Sequence, residues 1–278
     1  MRFLGLLGAF LAFAVLAYWY RETPFLLSVL SGLACSVATV LVAALVSLKK
    51  GLAWPLILAS TLYWFTTVRV SISYLFSIPV EGTQLLIRGT RIATQFQPVG
   101  GVFKAHLTDL EMARMFDASP DDRFPRDSES GQDLRLNLKG RHLRALIAWF
   151  DEASDREYLP YREFHEELVR PGYLDVATFP YVDCRYIGLR TTGFYWDSHS
   201  RRPGIIIAHI LELVPTPDQL NALRELRQLA SPWRDGELVY FADHDEIVRG
   251  GARPHQNAAF EIAPTTLWLI GKDFKPHR

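Results

Sequence analysis

Two long runs without a charged residue constrain this chain before anything else does. Residues 3–20 contain no Asp, Glu, Lys or Arg, and neither do residues 25–48. Built as α-helix at about 1.5 Å per residue, they are about 27 Å and about 36 Å long, against a bilayer core of about 30 Å. Tyr18-Trp19-Tyr20 ends the first run with amphipathic aromatics instead of a small-residue cleavage site, which argues against a removable leader. Arg21-Glu22-Thr23-Pro24 reads as a turn between the runs. The expectation is a two-helix N-terminal transmembrane hairpin over residues 1–50, with the lipid bilayer as its partner. Arg2 flanks one end and Lys49-Lys50 the other, which predicts a multi-pass protein with both termini cytoplasmic. Small residues such as Gly32, Ala34 and Ala38 permit close helix approach, so a homo-oligomer is expected.

Residues 51–68 are uncharged too, but Ser60, Thr61, Thr66 and Thr67 make them polar for a span. With Trp54, Tyr63 and Trp64 near the ends, residues 51–69 read as an interfacial linker helix. The period then changes to two: Val70, Ile72, Tyr74 and Phe76 alternate with Ser71, Ser73, Leu75 and Ser77, a strand pattern. Turns at Glu81-Gly82 and Gly89 bracket further strands over 84–88 and 92–97, and the meander closes at Pro98-Val99-Gly100-Gly101. Residues 119–131 are crowded with Pro, Asp, Arg and Ser and read as a loop. Leu143, Ile147 and Phe150 fall at helical spacing. Later come two strands read as buried, 182–189 and 205–213, a helix over 218–229, a short strand over 238–242 and a last one over 266–270.

Thirty basic residues balance thirty acidic ones, so no global charge points to nucleic acid as a partner. Cys35 and Cys184 lie in unlike segments and do not pair, which fits a reducing compartment. The chain has no His-Glu-x-x-His, no Cys-x-x-Cys and no phosphate-binding Gly-x4-Gly-Lys run. Zinc chemistry and a P-loop are therefore not indicated.

Chemistry concentrates in Tyr161-Arg162-Glu163-Phe164-His165-Glu166-Glu167-Leu168. Phe164 and Leu168, four apart, share a face that packs on a core. Glu163 and Glu167 are also four apart, with Glu166 beside them. Three carboxylates on one turn raise each other's pKa values unless a positive charge sits among them. Arg162 supplies part of that charge, and a hard divalent cation is suited to supply the rest. An ordinary solvated helix carries the same letters, with each ion pair contributing about 0.2–0.5 kcal/mol.

This run resembles the second half of the Nudix box, G-x5-E-x7-R-E-U-x-E-E-x-G-U. Arg162, Glu163, Phe164, Glu166 and Glu167 fill R-E-U-x-E-E, and Pro98 with Gly100 and Gly101 resembles the turn that opens the box. The departures are large. Gly101 and Arg162 are 61 positions apart, so about 47 residues are inserted, Leu107 stands where the first Glu is expected, and Val169 replaces the closing Gly. The resemblance implies an α+β fold, a Nudix-like α-β-α sandwich over residues 70–278 with an insertion at about 105–161. It implies cofactor-binding roles for Gly100, Gly101 and Arg162, and a base or ligand role for Glu163 as the catalytic residue. Mg or Mn would be held by Glu163, Glu166 and Glu167. Acids outside the box that the fold brings to such a site are candidates too: Glu152, Glu157, Glu212, Asp243, Asp245 and Glu246.

Two membrane helices followed by such a domain resemble the membrane-anchored Nudix effectors of bacterial anti-phage systems of the CBASS type. The resemblance implies an inner-membrane effector that binds a cyclic oligonucleotide made by a cGAS/DncV-like nucleotidyltransferase and impairs the membrane. A membrane-tethered, Mg-dependent Nudix pyrophosphohydrolase of a nucleoside diphosphate derivative is the alternative, and a structural membrane protein without chemistry is a third reading.

Overall fold

An eleven-residue strand, β1 (Thr67–Ser77), is the spine of the larger part of the molecule. Its β-branched and aromatic residues suit a pleated, buried surface, and Val70, Ile72, Tyr74 and Phe76 have no exposed area. The computed structural model describes residues 2–20, 22–49, 51–89, 95–121, 132–152, 154–158, 161–198, 200–230, 238–251 and 260–274. The chain forms two compact units, Met1–Pro55 and Leu56–Arg278.

In the second unit β1 has partners on both sides. It runs parallel to β10 (Arg202–Leu213) from Arg69↔Gly204 to Ser77↔Glu212. On its other edge it pairs antiparallel with β7 (Arg135–Lys139) along its first half and with β5 (Gly100–Val102) along its second. A parallel pair needs a long crossover, and here the whole chain between Ile78 and Arg201 supplies it. β6 (Ser119–Pro120), β8 (Cys184–Thr191) and β9 (Tyr195–Asp197) complete a seven-stranded sheet among the described residues. A second, five-stranded sheet contains β2 (Pro79–Val80), β3 (Thr83–Arg88), β4 (Gln95–Pro98), β11 (Val239–Ala242) and β12 (Glu261–Ile262). Its core gathers Leu86, Phe96, Tyr240, Ile247 and Phe260.

Helices cover these sheets with the faces their sequences predict. In α5 (Gly140–Glu152), Leu143, Leu146, Ile147, Trp149 and Phe150 are buried along one stripe. It starts at a glycine because a Cβ at Gly140 would run into the carbonyl oxygens of Tyr63 and Ala59. Capping boxes start α4 (Asp109–Phe116) at Thr108, α7 (Pro217–Leu229) at Thr216 and α8 (His244–Arg249) at Asp243. The run with the three glutamates is α6 (Tyr161–Phe164), which continues as a π-helical turn over His165–Val169.

In the first unit α1 (Arg2–Trp19) packs against α2 (Pro24–Lys49), and Thr23 closes the turn by donating from its amide and its hydroxyl to the Tyr20 carbonyl, at 3.0 and 2.8 Å. The expected two-helix transmembrane hairpin is overturned here: among the described residues no helix is long and apolar enough to cross a membrane. The multi-pass inner-membrane location falls with it. Absence of charge was an insufficient criterion. At its full 18 residues α1 reaches about 27 Å, short of a core of about 30 Å. In α2, Ser31, Ser36 and Thr39 are polar residues that return their hydroxyls to backbone carbonyls of the preceding turn.

Other expectations shift as well. The α+β class stands, with sheets of seven and five strands among the described residues. The linker helix is α3 (Ala53–Ala59), only seven residues long. Residues 266–270 form the end of a 3-10 helix, Pro264–Ile270, because Pro264 fixes the entry and Gly271 adopts a left-handed conformation at the exit. β8 is not buried: it is an edge strand with Tyr186 and Ile187 exposed. Most of the predicted loop at 119–131, and residues 92–94 of the predicted strand, lie outside the described residues.

Phe76 carries the contact between the spine and α6, its ring 5.6 Å from that of Phe164. Phe76→Ala is expected to lower stability by about 3–5 kcal/mol, the usual cost of deleting a fully buried ring. Urea unfolding followed by far-ultraviolet circular dichroism measures it, and a loss under about 1 kcal/mol would contradict the placement of this ring in the core.

Candidate functional site

The site is built where β5 meets α6. Gly100 and Gly101 pair with Leu75 and Tyr74 of the spine. Gly100, at φ 147°, must be glycine, because a Cβ there would strike the Tyr74 carbonyl oxygen, while a Cβ on Gly101 would displace the Glu163 carboxylate. The helix is seated by Phe164 and Leu168, both without exposed area, with Phe164 packed on Phe76 and Phe179. The hydroxyl of Tyr161 donates to the Phe179 carbonyl at 2.6 Å. Apolar spacing on one face therefore turns the polar residues of the same helix toward the glycines.

Arg162 holds the polar face together. Its Nε donates to Glu157 at 3.1 Å, one Nη to Glu163 at 2.7 Å and Glu166 at 3.4 Å, and the other Nη to the Val102 carbonyl at 3.4 Å. Burial opposes its charge, but Glu163 and Glu157 outweigh that and hold the guanidinium above its ordinary range. Glu167 turns the other way and accepts from the Gly100 amide at 3.0 Å. Burial pushes its carboxyl up to about 8, against the pull of that amide. Burial also raises Glu163, with Arg162 restraining the shift and Glu166 and Asp133 adding to it. The π turn, a feature frequent at functional sites, carries Glu166 and Glu167, while Glu163 lies on the α-helical turn before it.

These groups line a cleft of about 610 Å³. Its floor is the polar side of β1, Arg69, Ser71 and Ser73, and its walls include Asp133, Arg135 and Lys104. Arg170 stands at the end of the π turn on the same cleft. Among the described residues, the side chains of Lys104 and Arg170 have no ion-pair partner.

Every expected box residue is thus brought together: Gly100, Gly101, Arg162, Glu163, Glu166 and Glu167 all line the cleft. Of the outside acids, Glu157 reaches the cluster as a partner of Arg162. The others do not line it: Glu212 pairs with Arg185, and Asp243 and Glu246 cap α8. Leu107 leaves the position of the family's first Glu without a carboxylate. Sequence reasoning passed over Arg69, Lys104, Asp133, Arg135 and Arg170. For Arg69 a signal exists, since Arg69, Ser71 and Ser73 are the polar side of a period-two pattern.

The arrangement does not fit the expected Mg or Mn site. Among the described residues no group of three or more Asp, Glu, His or Cys side chains stands as a metal cage. Glu163 and Glu166 face a guanidinium and Glu167 faces an amide, so the positive charge a metal would bring is already supplied by the protein. What the cleft offers is a set of donors and cations beside carboxylates that the protein itself holds.

A model of the SMODS-associated NUDIX domain family matches residues 67–270. No curated protein and no solved structure matches the chain.

The raised carboxyl of Glu167 has a consequence for stability. Unfolded, it titrates near 4.5; folded, near 8. Folding therefore takes up a proton between those values, and the stability Glu167 contributes is full below pH 4.5 and lost as pH rises through 8. Glu167→Gln keeps an acceptor for the Gly100 amide without the charge. Its unfolding midpoint is expected to gain on that of the wild type from pH 4.5 to 8 and then level off. A difference that stays flat over this window would contradict the burial of an ionisable group at this position.

Proposed function

The chain belongs to the SMODS-associated NUDIX domain family, and on that premise we propose that its cleft binds a cyclic oligonucleotide without hydrolysing it, as the sensing part of an anti-phage effector. The observation that carries this reading is the charge arrangement along the cleft. Lys104 and Arg170 present cations without ion-pair partners among the described residues. The carboxylates beside them are held by Arg162 or, for Glu167, protonated near neutral pH. The recess is therefore less acidic than its sequence suggests, and a phosphodiester is its natural occupant.

Size agrees with this. A cavity of about 610 Å³ lies within the range of roughly 300–1,000 Å³ in which proteins hold small organic ligands. Chemistry agrees as well. A Nudix hydrolase gathers carboxylates around a metal, whereas here Leu107 replaces one acid and Arg162 occupies the others. A site that grips a phosphodiester and leaves it intact is what a lasting signal requires.

The test is calorimetry on the purified protein with a panel of cyclic di- and trinucleotides, with chromatography of the recovered ligand. At least one is expected to bind and to be recovered uncleaved. Lys104→Ala with Arg170→Ala is expected to weaken that binding by at least tenfold, since each charge-assisted contact contributes about 1.5–3 kcal/mol. No binding across the panel, or turnover of the ligand or of a nucleoside diphosphate derivative with Mg or Mn, would overturn the reading.

A further inference from the structure

The cleft has a second pole. Along β1 its floor runs from Leu75, beside Gly100, to Arg69, a distance of about 20 Å at roughly 3.3 Å per residue. That is longer than a phosphate group alone needs. At the far end stands Arg69, 5% exposed, yet lining the cleft. Its Nε donates to Asp121 at 2.6 Å, with Asp197 4.0 Å from the same nitrogen. Its two Nη nitrogens make no hydrogen bond among the described residues. Next to it on the same side of the strand is Ser71, 6% exposed, whose hydroxyl also has no hydrogen-bond partner among the described residues. Arg135 lies opposite Ser71 across the β1–β7 ladder.

We propose that this far end of the cleft is a base-reading subsite selective for guanine, placed by the fixed guanidinium of Arg69 and the Ser71 hydroxyl. The assignment rests on the cyclic-oligonucleotide reading above and adds the identity of the base. The donors at this end are planar, buried and fixed, so they require a ligand edge that presents acceptors side by side. A second phosphate presents acceptors too, but it brings a charge. Here the two arginines are already offset by Asp121 and Asp197 at Arg69 and by Asp133, 3.3 Å from Arg135. A neutral acceptor pair suits such a place better than an anion.

Among the bases that pair is O6 and N7 of guanine, the edge an Arg fork meets with two parallel hydrogen bonds. Adenine offers N7 beside an amino group, which would point a donor at a donor. Cytosine presents an amino group at the corresponding edge, and uracil a single carbonyl. The buried, pre-oriented state of Arg69 makes the discrimination sharp, because an unmatched donor there is left without water.

The experiment titrates the purified protein with the 5′-monophosphates of guanosine, inosine, adenosine and cytidine, then with cyclic di-guanosine and cyclic di-adenosine monophosphate. All carry phosphate, so differences among them report the base. Guanosine and inosine monophosphates, which share O6 and N7, are expected to bind alike and at least tenfold tighter than the others, and the cyclic dinucleotides to follow the same order. Arg69→Lys keeps a charge against Asp121 but removes the fork, and is expected to erase the preference while the adenine ligands bind as before. Ser71→Ala, a small change that spares the buried ion pair, is expected to reduce the preference by about threefold. Equal binding of guanine and adenine ligands would overturn the guanine subsite and leave the phosphodiester reading standing. Binding of none of these ligands, nor of any in the wider panel, would overturn both.

Discussion

A guanidinium shared among three carboxylates holds the site in its present form. Arg162 ties Glu163 and Glu166 of its own helical stretch to Glu157 of the insertion and to the Val102 carbonyl of β5. Three segments converge on one side chain. Taking such a cluster out of water costs about as much as its attractions return, so its net contribution to stability is small compared with a well-packed apolar replacement. Removing the arginine alone is another matter, because it would leave carboxylates crowded and partly buried without compensation. The cluster is better understood as a constraint on position than as a source of stability.

That constraint decides what chemistry the cleft supports. Carboxylates around a vacancy attract a hard cation, and the resemblance to the Nudix box implied that arrangement. With Arg162 among them they are already satisfied, and Glu167 has turned to the Gly100 amide. The two glycines complete the logic. Because neither carries a Cβ, the Glu163 carboxylate approaches the strand closely enough to be half-buried, and burial then raises its pKa and that of Glu167. Backbone permissiveness at two positions thus feeds into the charge state of the recess.

How much of this was legible in the sequence depends on the range of the interactions involved. The spine was, since Val70, Ile72, Tyr74 and Phe76 announce a strand by their spacing alone. So was the seating of the box helix, where Phe164 and Leu168 are four apart and both fully buried. The glycine pair was assigned to the site from its resemblance, and the structure adds the steric reason. The failures share a cause as well. Absence of charge over 3–20 and 25–48 was equated with enough apolarity to cross a membrane, and hydroxyl and small residues were given no weight. Residues 266–270 looked like a strand because their apolar letters say nothing of Pro264 and Gly271 at the two ends. Arg69 comes from one place in the chain and Asp133 with Arg135 from another, which the β1–β7 pairing brings together, and no local pattern encodes such a meeting.

The insertion is where the departure from the Nudix box becomes intelligible. About 47 extra residues between Gly101 and Arg162 look at first like a disruption, yet the segment returns to the site repeatedly. Lys104 bridges to Asp133, Ala105 to Arg156, and the Glu157 amide donates to the Lys104 carbonyl at 2.8 Å. Arg156 lies over the Phe150 ring at 3.9 Å and donates to the Phe150 carbonyl, anchoring the return on α5. These contacts deliver Glu157 to Arg162 from a direction the box helix itself cannot supply. The acid lost at Leu107 is thereby replaced in number but not in role, since the new carboxylate faces a guanidinium. The same insertion supplies Asp133 and Arg135 as walls and Asp121 as the partner that fixes Arg69. It therefore lengthens the cleft along β1 while closing its metal-like end, and a longer cleft with a satisfied acidic end is suited to holding a ligand of several groups in place.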